Sequence, residues 1–252
     1  MLYREYQPNI ALLPYIETYW VAQGYADQTE SEKILPDGCV DIIFSFCHTS
    51  DNGNLAPFLP NIVGVMTTYL EIRYLDYVSM LGIRFRPAGI TAFTKVPIYS
   101  FTDQQVNLTL VDSLFNTDFY SKLPELGLTS EKIKHIDSYL IHKLADIFVP
   151  DKQIIYAIDL IRNTNGLLSL NNVADRSCLS LRSLERNFRN VVGISPKTFS
   201  KIIKFKYTLS FLREHKDTSL FTTAIECGYY DHSHLFKEFK ALAGDIPSYF
   251  SK

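Results

Sequence analysis

The sequence is poor in the residues from which metal and nucleophile centres are assembled. Six histidines are present in 252 residues, and only His48, His135 and His142 lie in the first 150. A cupin-type metal site needs clustered histidine and carboxylate ligands, whereas His135 and His142 fall two turns apart on one helical pattern. His232 and His234, at i and i+2, point to different sides of a helix and do not make a two-histidine ligand pair. No catalytic triad can be assembled, so no catalytic residue, metal or cofactor is expected. Cysteine is also scarce: Cys39, Cys47, Cys178 and Cys227 show no C-x-x-C spacing and are expected to be reduced core thiols, with a disulfide pair left open. No apolar run approaches the roughly 18 residues that suggest a membrane span, and MLYREYQPNI has neither half of a signal peptide. The expectation is a cytoplasmic chain with no membrane partner.

What is present is apolar content of 46%, ample for one large core or two ordinary ones. The net charge of −2 conceals an uneven distribution. Residues 1–150 hold 10 Lys/Arg against 17 Asp/Glu, a net of −7, whereas residues 151–252 hold 15 against 10, a net of +5. A polyanion would bind the second half, where lysine and arginine can displace phosphate counterions.

The first half reads as strands. VDIIFSF (40–46), NIVGVMT (61–67), LEIRYLDYV (70–78) and MLGIRFR (80–86) are β-branched and aromatic, and Pro36-Asp37-Gly38 and Asp51-Asn52-Gly53 supply turns. From about Ala88 the pattern becomes helical. Ile133, Ile136, Leu140, Leu144 and Ile147 form a stripe within 129–148 that Ser130 is placed to cap. That stripe either packs on its own domain or forms a dimer seam, since two heptads do not distinguish these. Pro150 then breaks the helix and Asp151 is placed to cap the next.

The most specific feature is an internal repeat. Arg186-Asn-Phe188-Arg189 with Gly193, Pro196 and Phe199 recurs 51 residues later as Lys237-Glu-Phe239-Lys240 with Gly244, Pro247 and Phe250. A repeat implies a repeated supersecondary unit. Each copy reads as helix, short turn, helix. In the first, Ser169 and Ser180 are the expected caps. Leu181, Leu184, Phe188 and Val191 or Val192 make the apolar stripe, with Arg182, Ser183, Glu185, Arg186 and Arg189 outward. In the second, Leu235, Phe236 and Phe239 are buried and His232, Ser233, His234, Lys237 and Lys240 are outward. Pro196 to Glu214 reads as one long spacer helix, with Phe199, Ile202, Ile203, Phe205, Leu209 and Leu212 apolar.

The run Cys227-Gly228-Tyr229-Tyr230-Asp231-x-Ser233-His234-Leu235-Phe236-x-x-Phe239-Lys240, followed by Gly244-x-x-Pro247, resembles the AraC-type family of transcriptional regulators over about residues 152–251. The resemblance implies recognition helices at Ser180–Val191 and His232–Ala241. It implies base contacts from Arg182, Glu185 and Arg186, with Arg189 near the phosphate backbone and His232, Ser233, His234 and Lys237 in the matching region of the second motif. Arginine pairs with guanine and glutamate accepts from cytosine, although Glu185 can equally pair with Arg182 or Arg189 on the helix surface. Double-stranded DNA and RNA polymerase are the implied partners, with a homodimer as a further possibility. Three positions depart from the family pattern: Thr223 stands for a buried aliphatic, Phe221 for a capping threonine and Cys178 for a small residue such as glycine.

The segments Leu35–Asp41 and Gly82–Gly89 resemble a sensor domain joined to this module in related regulators, which implies a cupin-like barrel for a small effector. Asp37, Asp41, Arg84 and Arg86 either line its pocket or serve as turn and ion-pair residues. The expected architecture is α+β: an antiparallel β-barrel with helices over 1–149 and an all-α domain over 150–252. The expected function is an effector-responsive DNA-binding regulator. The alternatives are a cupin-like metal-dependent enzyme and a protein–protein adaptor that keeps the module.

Overall fold

The computed structural model describes residues 1–25, 31–47, 55–74, 77–144 and 151–250. Its N-terminal part is built on an antiparallel sheet of six strands: β1 (Leu2–Tyr6), β2 (Ile16–Tyr25), β4 (Val40–Ser45), β5 (Pro60–Val63), β7 (Tyr77–Phe85) and β8 (Gln105–Asn107). They run in the order β1-β2-β7-β4-β5-β8, and β3 (Glu32–Ile34) pairs with β6 (Leu70–Ile72) as a second, two-stranded sheet. β1 and β2 are strands that the hydrophobic reading above does not anticipate. β1 is exposed along nearly its whole length, so it carries no one-sided apolar pattern, and β2 is buried at three consecutive positions, Thr18–Trp20, so its alternation is blurred. The expected 61–67 strand stops at Val63; at Gly64 the backbone passes so close to Phe101 that an added Cβ would lie 1.7 Å from its carbonyl oxygen. The expected 70–78 strand divides into β6 and the start of β7.

The sheet has two working faces, as the period of two along each strand requires. Val40, Ile42 and Phe44 of β4, with Leu81, Ile83 and Phe85 of β7, face the helices and join the main core. Residues of opposite parity, Trp20, Ala22 and Met80, pack in a second cluster with Ile72 and Tyr74 across from β3 and β6. Gly82 pairs in register with Trp20 and gives it room, since a Cβ there would lie 2.0 Å from the indole ring. Gly82→Val should therefore displace Trp20 and lower stability by about 1–3 kcal/mol, as overpacking does. Thermal unfolding checks this, and an unchanged melting temperature would contradict it.

Two short helices follow, α1 (Thr117–Lys122) and α2 (Thr129–Lys143). Ser130 does not cap α2. The helix starts one residue earlier, and the Glu131 carboxylate accepts from the Leu128 N–H at 3.1 Å. Ile133, Ile136 and Leu140 are buried within the chain itself, so the stripe packs on its own unit. Ile147 and Pro150 lie outside the described residues.

The C-terminal part contains α3 (Lys152–Asn163), α4 (Leu170–Arg176), α5 (Leu181–Val192), α6 (Pro196–Glu214), α7 (Leu220–Glu226) and α8 (His232–Ala243). Asp151 caps α3 by accepting from the Gln153 N–H. α6 occupies the expected span and buries Phe199, Ile202, Phe205, Leu209 and Leu212, while Ile203 is half-buried. No described helix is long and apolar enough to cross a membrane.

The two parts are joined at several points. Thr102 donates to the Gly193 carbonyl at 2.7 Å, Arg162 pairs with Glu17 at 3.7 Å, and the Lys206 ammonium donates to the Asp37 carbonyl at 3.4 Å. Thr68 donates to the Ala241 carbonyl at 2.9 Å, and Lys33 pairs with Asp245.

Candidate nucleic-acid interface

Each repeat is assembled from caps and one apolar stripe. Ser169 accepts from the Asn172 N–H to start α4, and Ser180 accepts from the Ser183 N–H to start α5. Such caps satisfy amide groups that have no partner within the helix. Between them Cys178 takes a φ of +56°. Gly228 takes +73° in the matching turn, which is the physical reason a small residue suits the first position. Cys178 is exposed and Cys47 half-buried, so only Cys39 and Cys227 fit the expected core thiols.

On α5, Leu184, Phe188 and Val192 are buried and pull the helix onto α4 and α6. Leu181, expected in the stripe, is 44% exposed, because it begins the helix beyond the contact. Arg182, Glu185, Arg186 and Arg189 are exposed and Ser183 is half-buried. Glu185 forms no ion pair with either arginine among the described residues. Arg189 lies against the N-terminal part, its guanidinium 5.6 Å from the centre of the Tyr99 ring, a cation–π position.

The second motif repeats the construction. Ser219 caps α7 and Asp231 caps α8, accepting from the His234 N–H. Phe221 is 61% exposed and is not a cap, and the Thr223 side chain is fully buried, its hydroxyl donating to the Ser219 carbonyl. That bond is how a threonine is accommodated where an aliphatic residue is the family norm. His232, Ser233, Lys237 and Lys240 are exposed on α8, and Phe236 is half-buried.

His234 is partly exposed, and its ring nitrogens are engaged within the protein. Its Nδ1 accepts from the Tyr230 N–H at 3.4 Å, and its Nε2 lies 3.3 Å from Glu238. Glu238 is buried beneath the helix and also meets Lys201 at 3.6 Å and Lys204 at 3.1 Å. This inward carboxylate gathers the cations behind α8, leaving Lys237 and Lys240 to the solvent face. Tyr230, part of the run that carries the family resemblance, is 87% exposed just before the cap; an aromatic residue beside a helix start carries no periodic signal that would single it out.

A second site lies between the two sheets. A cavity of about 260 Å³ is walled chiefly by apolar groups, among them Trp20, Ile43, Leu70, Ile72 and Met80. Asp37, Asp41 and Arg84, three of the four residues expected either to line an effector pocket or to serve as turn and ion-pair residues, meet here. Arg84 forks onto Asp41, with Nε to Oδ1 at 3.1 Å and Nη2 to Oδ2 at 3.0 Å, and its Nε lies 3.3 Å from Asp37. Trp20 Nε1 donates to Asp41 at 3.0 Å. Burial pushes the Asp41 carboxyl up against the opposing pull of Arg84. Arg84 is raised although its own burial lowers it, because two carboxylates attract it. The bidentate geometry decides for the ionised pair. Asp37 also serves as a turn residue, accepting from the Cys39 N–H at 2.9 Å. Arg86 points elsewhere and donates to the Leu13 carbonyl at 2.7 Å.

Comparison with known proteins bears on both sites. A family described as a helix-turn-helix domain matches residues 173–252. The transcriptional activator RhaS of Escherichia fergusonii is 32% identical over 75 residues, which is 30% of this chain. The chain carries the AraC-type helix-turn-helix domain. The match spans only 27% of RhaS, so the likeness is one of the AraC-type domain and not of the whole protein. A family described as a domain of unknown function, DUF6597, matches residues 4–107. The structure of ToxT from Vibrio cholerae superposes with a TM-score of 0.51 at 9% identity, covering 92% of this chain and 97% of ToxT, which shows a shared fold.

Within the AraC-type domain, Ser180 and Asp231 occupy matching cap positions 51 residues apart. Ser180→Ala should cost about 1 kcal/mol through the lost cap, and chemical denaturation reads that loss. A cost of zero would show that water replaces the hydroxyl fully.

Proposed function

We propose that the chain is a DNA-binding transcriptional regulator that reads two neighbouring segments of duplex DNA with α5 and α8 and responds to a small effector held between the sheets. The observation that carries the first part is the duplicated motif with basic side chains on the outer face of both second helices. Arg182, Glu185 and Arg186 are the proposed base readers of α5, and His232, Ser233 and Lys237 those of α8. Ser180, Ser183 and Lys240 are proposed to bind backbone. Arg189 divides its contacts between DNA and Tyr99, and His234 positions Tyr230 and α8.

The 19-residue α6 is about 28 Å long at 1.5 Å per residue. That is comparable to the roughly 34 Å between successive major-groove segments on one face of DNA, so a single chain can present both helices. The effector part rests on the cavity and its neighbours. Asp37 at its edge holds Lys206 of α6, and the β3–β6 side reaches α8 through Thr68 and Lys33. A ligand that favours one arrangement of these contacts shifts the population of DNA-competent molecules.

Selection of bound sequences from a random duplex pool tests the reading. The expected result is a site with two short half-elements about one turn apart. Its affinity should fall with salt at a log–log slope of roughly −2 if Arg189 and Lys240 each neutralise a phosphate. No enriched sequence, or an affinity indifferent to salt, would overturn it.

A further inference from the structure

The N-terminal part holds α5 and α8 at equivalent points. The two helices end on the matching glycines of the repeat, Gly193 and Gly244, at φ of +100° and +70°. The last carbonyls of a helix have no partner within it, and at both ends a threonine hydroxyl supplies one. Thr102 donates to the Gly193 carbonyl at 2.7 Å, and Thr68 donates to the Ala241 carbonyl at 2.9 Å. An aromatic ring adds to each grip: Tyr99 lies against Arg189 of α5, and Tyr69 stands so close to Gly244 that an added Cβ would fall 2.5 Å from its ring. The two grips are themselves joined. The Gly64 N–H donates to the Gln104 carbonyl at 3.0 Å, and the Asp103 N–H donates to the Val65 carbonyl at 3.1 Å. The Asp103 carboxylate accepts from the Thr67 N–H at 2.6 Å and from the Thr67 hydroxyl at 2.7 Å. Thr67 adjoins Thr68 and Asp103 adjoins Thr102, so the link runs directly from one grip to the other.

We propose that the joined segments 64–69 and 98–105 form a brace that fixes the separation and angle of α5 and α8, with Thr67 and Asp103 as positioning residues that set which spacing of DNA half-elements the chain accepts. The inference rests on the reading of both helices as DNA readers and names what selects the spacing of their target. α6 alone holds them more loosely. Each reading helix meets α6 through an aromatic pair, Phe188 with Phe199 at 5.4 Å and Phe205 with Phe239 at 4.8 Å, and an open series of three helices flexes at both contacts. The brace closes that series into a ring, which leaves it fewer ways to deform. Both grips lie at the C-terminal ends of the helices, so Arg182, Arg186, His232 and Lys237 stay exposed on the outer faces. One added base pair between half-elements shifts one of them by roughly 3.4 Å and turns it by about 35°. A braced pair meets that mismatch by strain, whereas it binds its own spacing with little further loss of freedom.

Fluorescence-anisotropy titration of the full chain against three duplexes tests this: the selected site, and the same half-elements with one base pair added or removed between them. The parent should bind both altered duplexes about tenfold more weakly than the selected site. Asp103 has a φ of +53°, a region that glycine and asparagine also adopt, so neither substitution strains the backbone. Asp103→Gly removes the acceptor and should narrow the margin to about twofold, and Thr67→Val, which removes one of the two bonds, should fall between. Asp103→Asn, whose amide oxygen still accepts from the Thr67 N–H, should restore the parent's margin. The margin is a ratio on one protein sample, so a loss of folded protein weakens all three titrations alike and does not move it. A parent indifferent to spacing overturns the inference and leaves the DNA reading in place. So does an Asp103→Gly protein that keeps the full margin, or an Asp103→Asn protein that behaves as Asp103→Gly does. Should Asp103→Gly fail to fold, a full margin in Thr67→Val overturns the inference by itself. If the parent selects no duplex at all, both readings fall together.

Discussion

The double variant Arg186→Ala/Lys237→Ala is expected to lose DNA affinity by on the order of a hundredfold to a thousandfold while keeping its fold. One residue sits on the exposed face of each second helix of the AraC-type domain. A good base contact contributes about 1–3 kcal/mol and a phosphate contact raises the salt slope by about one. Two such losses on well-separated helices should add nearly independently. Neither side chain takes part in an ion pair that supports packing among the described residues, so the thermal melt should move little. Titration against the selected duplex at two salt concentrations, beside a melting curve, measures both. Unchanged affinity with an intact fold would refute the assignment of α5 and α8 as reading helices and favour the adaptor.

Glu238→Ala should act in the opposite sense, on stability first. Glu238 is 8% exposed and is met by Lys201, Lys204 and His234. Lys204 is itself largely buried and lies 4.0 Å from the centre of the Tyr229 ring. Removing the carboxylate leaves that ammonium without its counter-charge, and breaking one partner of a buried pair costs about 3–5 kcal/mol. Because Lys201 remains half-exposed and can relax into water, the lower end applies, about 3 kcal/mol. In a chain of this size that is a fall of roughly 6–12 °C in Tm. Glu238→Gln should cost less, since an amide oxygen still accepts from Lys204. A Glu238→Ala protein that melts with the parent would show that water reaches Lys204 and that the cluster does not hold α8.

The two predictions differ in how far they could have been anticipated. Lys237 is outward because it lies on the polar side of a helix whose Leu235 and Phe239 are buried, and that is visible in spacing alone. Glu238 lies next to it and is also charged, yet it turns inward. The spacing of α8 does put position 238 on the buried side, at i+3 from Leu235 and beside Phe239; what it does not reveal is the counter-charge that lets a carboxylate sit there, because Lys201 and Lys204 come from α6, more than 30 residues earlier. His234 stays partly exposed and reaches back to Glu238 with Nε2 at 3.3 Å. Arg189 fits the outward pattern but is met by Tyr99 from the other half of the chain. Asp37, Asp41 and Arg84 were candidates on turn and strand grounds, but their meeting depends on strand register. Asp41 and Arg84 face each other across β4 and β7, whereas Arg86, two residues further on, lies beyond the paired stretch and bonds to Leu13 instead.

The helical repeat, its caps at Ser169 and Ser180, the Asp151 cap of α3 and the span of α6 are legible in the chain alone, because caps and apolar spacing act within a few residues. Which half is basic is legible there too. Folding in three dimensions was needed to show that β1 and β2 complete the sheet and that Glu238 meets Lys201, Lys204 and His234. Those outcomes depend on pairing between distant segments, whose register and burial no local pattern records.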